Sequence, residues 1–148
     1  MSDTTAQVSK TIAASPRTIW HALTTPDLLK RYFFGADVES DWTVGSPIYF
    51  RGEYQGKSYE DKGEILTVEP ERQLRMSHWS PLAGVPDTPE NYHVVTFNLL
   101  PEGTGTTVTL TQANLTGGVT AADIAKRGEF EKNWRNVLDG LAKVVERE

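Results

Sequence analysis

The stretch Thr120-Ala121-Ala122-Asp123-Ile124-Ala125-Lys126-Arg127-Gly128-Glu129-Phe130-Glu131-Lys132-Asn133-Trp134-Arg135-Asn136-Val137-Leu138-Asp139-Gly140-Leu141-Ala142-Lys143-Val144-Val145 decides the fold. At its head, Thr120 and Asp123 have the form of a capping box, in which a hydroxyl and a carboxylate take backbone donors that a helix start leaves bare. Behind them Phe130, Trp134, Val137, Leu138, Leu141, Val144 and Val145 recur at spacings of three and four. That spacing predicts one broad apolar face on a long helix. A face of that size must be buried, and its cover has to come from the rest of the chain.

The cover is a sheet. From Ala36 to Leu115 the punctuation is glycine and proline, with short β-prone runs between. Candidate strands are 36–42, 46–54, 57–68, 73–79, 92–100 and 105–114. Gly45-Ser46-Pro47, Gln55-Gly56, Pro70-Glu71-Arg72 and Gly103-Thr104-Gly105 mark turns. Strands that follow one another through tight turns imply an antiparallel meander. Ahead of them, Val8, Lys10 and Ile12 alternate with Ser9 and Thr11, as a half-buried strand requires. Ser15-Pro16 opens a helix, since serine caps and proline suits the first helical position. Ile19, Trp20 and Leu23 form its stripe. Thr25-Pro26-Asp27 repeats the signal for a second short helix carrying Leu28, Leu29, Tyr32 and Phe33, which Gly35 ends. The expectation is one α+β domain over residues 1–148. Its curved antiparallel sheet of six to seven strands is joined by two short helices and a long C-terminal helix.

The 148 residues suffice for a core without staples: folding at this length buries roughly 70% of the unfolded surface. There is no cysteine, which excludes disulfides, iron–sulfur clusters, cysteine-bound zinc and a thiol nucleophile together. The net charge is -5, and no basic run competes for phosphates, so no nucleic-acid partner is expected. The start Met1-Ser2-Asp3-Thr4-Thr5 is polar, unlike a secretory leader, and no apolar run is long enough to span a bilayer. A cytoplasmic location without membrane attachment is the default expectation.

Three stretches carry a family resemblance. Ala14-Ser15-Pro16-Arg17-Thr18-Ile19-Trp20-His21-Ala22-Leu23-Thr24-Thr25-Pro26-Asp27 resembles the first-helix signature of the START-like (SRPBCC) superfamily, in its Aha-type branch. Asn133-Trp134-Arg135-Asn136-Val137-Leu138-Asp139-Gly140-Leu141 resembles the tryptophan-led signature of that branch's last helix. Gly63-Glu64-Ile65-Leu66-Thr67-Val68-Glu69-Pro70 is similar to its central strand and turn, and the likeness continues with Leu74 and Trp79. The resemblance implies a helix-grip fold with a cavity between sheet and helix. The branch is named for a domain of proteins that activate the ATPase of the ninety-kilodalton heat-shock protein. The wider superfamily contains lipid carriers, polyketide cyclases, hormone receptors and allergens. A small apolar or aromatic ligand is therefore the leading implication, with a chaperone partner and a cyclase-like enzyme as alternatives. The chain departs from the branch at Tyr32-Phe33-Phe34-Gly35, where tryptophan is more usual.

Strand alternation nominates a site. A hairpin turning around Gly103 pairs Phe97 with Val108, Val95 with Leu110 and His93 with Gln112 on one inner face. Leu74, Met76 and His78 point inward on the preceding strand. His78, His93 and Gln112 thus converge near loop 80–91, with Phe50, Met76, Val95, Phe130, Trp134 and Val137 as apolar walls. Buried polar groups cost a few kcal/mol unless paired, and a few of them in an apolar pocket orient a ligand. The plain alternative is that the histidines bond each other, the loop or water and close one end of the core. No metal or cofactor is expected, because two histidines without an inward carboxylate make a thin ligand set. The same gap leaves acid–base catalysis without an orienting group. Arg51 alternates with Phe50 and should form a surface ion pair; Tyr59 and Asp61 stay uncommitted, because a bulge at Gly63 would flip them. Loop 80–91 reads either as a lid or as a stiff connection over Leu82 and Val85. Gly140 points to close approach of a strand backbone or a ligand.

Overall fold

Ser15 and Thr120 cap helices as their types predict. In the computed structural model, which describes residues 4–146, the Ser15 hydroxyl accepts from the Thr18 backbone N–H, and Thr120 and Asp123 close a reciprocal capping box. The polar start Met1-Ser2-Asp3, on which the expectation of no leader rests, lies outside the described residues. The elements are β1 (Thr4–Ile12), α1 (Pro16–Leu23), α2 (Pro26–Tyr32), β2 (Asp37–Ser40), β3 (Pro47–Tyr54), β4 (Lys57–Glu69), β5 (Gln73–His78), β6 (His93–Glu102), β7 (Gly105–Asn114) and α3 (Ala121–Val145). Seven strands form one antiparallel sheet in the order β1-β7-β6-β5-β4-β3-β2. The fold is the expected helix grip. No helix among the described residues is long and apolar enough to cross a membrane.

β4 changes partner along its length. Its first part, Lys57 to Glu64, pairs with β3, while Ile65 to Glu69 pairs with β5 across a register shift between Ile65 and Thr67. The bulge therefore lies beyond Gly63, not at it, and the pairing with β3 runs through Gly63 unbroken. Gly63 serves a different need: a Cβ there would lie 1.7 Å from the Ser77 carbonyl oxygen, so β5 can cross only a residue without a side chain.

The β6–β7 hairpin differs from expectation by two residues. Phe97 pairs with Leu110, Val95 with Gln112 and His93 with Asn114. The cause is the turn: Glu102 faces Gly105, so the loop is Gly103-Thr104 alone, with Gly103 at φ 61 as a primed two-residue turn requires. A shift of two residues preserves the face of every side chain, so the inward set is unchanged.

Ile12, Ile19, Leu23, Ile48, Ile65, Leu74, Phe97 and Leu110 fill the concave side. From α3, Val137, Leu138, Leu141, Ala142 and Val145 complete the core. The apolar face of α3 is covered only from Val137 onward. Phe130 and Trp134 are half-buried and Ile124 is 60% exposed. Polar side chains clasp α3 to β1: Arg127 Nε donates to the Thr5 carbonyl (2.9 Å), and the Gln7 N–H donates to Glu131 Oε2 (3.1 Å). The Ala13 N–H donates to Glu146 Oε2 (2.8 Å) at the far end.

At the departure from the branch pattern, Tyr32 and Phe33 turn into the core while Phe34 is exposed in a left-handed conformation (φ 56) ahead of Gly35 (φ 70). The Tyr32 hydroxyl donates to the Ala22 carbonyl at 2.7 Å, and burial holds that phenol well above its ordinary range. Gly140 is explained here: the element that comes close is α2, not a strand, and a Cβ at Gly140 would lie 2.6 Å from Tyr32 Cβ.

Two helical glycines thus predict opposite outcomes. Gly140→Ala should lower stability by about 1–3 kcal/mol through overpacking against α2, despite alanine's better helix propensity. Gly128→Ala, with nothing within 4 Å of the added methyl, should raise it by about 0.5–1 kcal/mol. Urea unfolding midpoints of the two variants decide the matter; equal shifts would contradict the packing account.

Candidate functional site

Where α3 stands off the sheet, a pocket of about 440 Å³ opens between its first turns, the ends of β5, β6 and β7, and loop 80–91. His78, His93, Val95, Gln112, Phe130 and Trp134 line it together. Phe50, Met76 and Val137 do not reach it; they are packed in the core behind, at 4%, 5% and 0% exposure. Phe50 still touches the site, because its ring meets the edge of His78 at 5.5 Å and stacks on Phe33 at 5.3 Å. Phe33 in turn lies 6.0 Å from Trp134, which links the pocket wall to the segment after α2.

Sheet pairing aligns His78 directly with His93. Gln112 sits opposite Val95 on β7, 5% exposed, and its side-chain oxygen accepts from the Trp134 indole N–H at 2.7 Å. That bond joins sheet and helix across the pocket floor. The His93 ring meets Phe130 at 6.0 Å. Burial holds its imidazole below the ordinary value of 6.5, neighbouring His78 adds to the effect, and Asp123 opposes it. Asp123 is itself below the usual carboxylate value. Burial works against its charge, but the Thr120 backbone N–H, the Asn114 amide and the Thr120 hydroxyl outweigh that cost.

Sequence reasoning missed the carboxylate. Asp61 Oδ2 lies 3.0 Å from His78 Nε2, and the Asp61 side chain is only 14% exposed. A carboxylate can only accept, so the pairing assigns the imidazole proton to Nε2 and leaves Nδ1 as an acceptor in the neutral ring. The other oxygen, Asp61 Oδ1, is fully shielded and has no hydrogen-bond partner among the described residues. The signal was present in the alternation, since Asp61 shares its face with Gly63 and Ile65. Treating Gly63 as a bulge concealed it. Among the described residues, no group of three histidine and acidic side chains comes together to hold a metal ion.

The other candidates lie elsewhere. Arg51 forms the expected surface ion pairs, with Glu39 and Glu60, both at 2.6 Å. Loop 80–91 is tied down. Trp79 Nε1 and Asn91 Nδ2 donate to the Pro86 carbonyl, Tyr92 donates to Asp87, and Lys62 pairs with Asp87 at 2.5 Å. Leu82 and Val85 are 48% and 38% exposed, so they do not tuck beneath it, although Val85 reaches the pocket mouth.

The depressed imidazole carries a stability consequence. His93 binds protons more weakly folded than unfolded, so stability stands in full above about pH 6.5 and declines as pH falls below it. Replacing His93 with Gln should flatten that decline between pH 7 and 5 in urea titrations, whereas an unchanged slope would exclude His93 as its source.

Comparison with known proteins places this architecture. Residues 13–146 match the family of Activator of Hsp90 ATPase homolog 1-like proteins. The solution structure of ChR145 from Cytophaga hutchinsonii is 45% identical over 96% of this chain and 93% of its own, with a TM-score of 0.78. The solution structure of the Aha1 dimer from Colwellia psychrerythraea shares the fold at 22% identity, covering 95% of each chain with a TM-score of 0.71. CalU16 from Micromonospora echinospora shares it at 23% identity over 94% of this chain and 74% of its own, with a TM-score of 0.68. None of the curated proteins matches the sequence. The chain belongs to the Activator of Hsp90 ATPase homolog 1-like family, within the Aha-type branch of the START-like superfamily.

Proposed function

We propose that the chain binds a small apolar or aromatic molecule in the pocket beneath the first half of α3. The observation that carries this reading is the gap itself. Phe130 and Trp134 present apolar surface that the sheet leaves partly uncovered, beside the buried or half-buried His78, His93 and Gln112. Aromatic walls with a few convergent polar groups are the usual construction of a small-molecule site. Native mass spectrometry and a thermal-shift screen with lipophilic compounds test it. A binder at saturating concentration should raise the melting temperature by several degrees, since a ligand at about 100 times its Kd adds about 2.7 kcal/mol. Trp134→Ala should abolish the shift; a broad lipophilic library that yields no stabilising compound would count against the reading.

The Asp61–His78 contact favours a second reading, in which His78 exchanges a proton with the bound molecule. An orienting carboxylate is what a catalytic imidazole needs to keep one tautomer. Long-range nitrogen–proton NMR spectra should give the Nε2–H tautomer for His78 in the native chain and a mixture in Asp61→Asn. A mixture already present in the native chain would remove the orienting role. The family match also supports a chaperone partner. Pull-down with the ninety-kilodalton heat-shock protein and its ATPase rate test that reading, which fails if no binding occurs at micromolar concentration.

A further inference from the structure

Gln112 has one side-chain atom committed and one uncommitted. An indole N–H can only donate, so the Gln112 atom 2.7 Å from Trp134 Nε1 must be the amide oxygen. The amide therefore has a fixed orientation, with Nε2 as the remaining group. The backbone cannot turn to change this. Gln112 is paired with Val95 on one side and Ala6 on the other, and its carbonyl accepts from the Thr5 hydroxyl at 3.0 Å. Gln112 is 5% exposed and lines the pocket, yet Nε2 donates to no described residue. A donor left accessible on the wall of a largely apolar pocket is a recognition element, because a ligand that covers it without offering an acceptor leaves it unpaired.

The charges around it narrow the class. Lys126 is the cation among the lining residues, against the carboxylates of Glu90 and Asp123, and the lining contains no arginine to clamp an anion. A ligand carboxylate would meet more negative than positive charge there. Phe130 and Trp134, one helical turn apart, offer ring surface to a flat apolar body.

We infer that the pocket selects uncharged, flat, apolar molecules bearing a carbonyl oxygen, and that Gln112 Nε2 is the donor that reads it. This rests on the ligand-binding reading above. The test compares α-tetralone with tetralin, bicyclic probes of closely similar shape that differ at one carbon, by ligand-observed NMR titration. The native chain should bind α-tetralone about tenfold more tightly, the scale of one buried hydrogen bond. Gln112→Glu retains an oxygen for Trp134 but puts an acceptor where Nε2 stood. It should bring the two affinities to parity by weakening α-tetralone about tenfold more than tetralin. Equal binding of both probes by the native chain overturns the carbonyl selection and spares the pocket. Binding of neither, at millimolar concentration, overturns the pocket and the selection together. The native comparison decides even if the variant does not fold.

Discussion

The apolar face of α3 has to be buried, and the sheet can bury only part of it. β4 is shared between β3 and β5 across a register shift, and the second half of the helix packs into the core of the sheet's concave side. Val137, Leu138 and Leu141 are sealed there to within 1% exposure. Nearer its start the helix is held to the edge strand β1 by Arg127 and Glu131, while Phe130 and Trp134 stay only half-buried. The gap that results is an outcome of geometry before it is a site. Chemistry enters because Trp134 bridges it to Gln112 and His78 is paired with Asp61 beneath it.

Much of the architecture was legible because it rests on short-range rules. Capping at Ser15 and Thr120, the three-and-four spacing of the last helix, and proline and glycine punctuation each act within a few residues. The strands were placed to within a few residues, and the convergence of His78, His93 and Gln112 followed from alternation alone. What escaped was set over longer range. The hairpin register slipped by two because the choice between turns centred at 102–103 and at 103–104 is invisible to alternation, which both satisfy. Asp61 escaped because Gly63 permits either a bulge or a close crossing. The crossing backbone of β5, fourteen residues further on at Ser77, decides between them. Gly140 was ambiguous for the same reason: the group it accommodates, Tyr32, belongs to a distant helix.

The polar groups of the site divide by how firmly each is held. Gln112 is fixed by Trp134 and by two strand partners. His78 is held through Nε2, and its other ring nitrogen has no hydrogen-bond partner among the described residues. The ring of His93 meets Phe130, and burial holds its imidazole below the ordinary value. A site built this way has one rigid donor and two adaptable imidazoles, so it discriminates most sharply where the amide points.

The two margins of the sheet differ in how they avoid recruiting foreign strands. On one side, Arg127, Glu131 and Glu146 reach across and occupy backbone groups of β1 or the residue just after it. On the other, β2 is only four residues long, and its acidic side chains are held sideways by Lys30 and Arg51. Short, charged or occupied margins resist templating. Self-association of this chain would therefore have to proceed through faces and loops, not through growth of the ribbon.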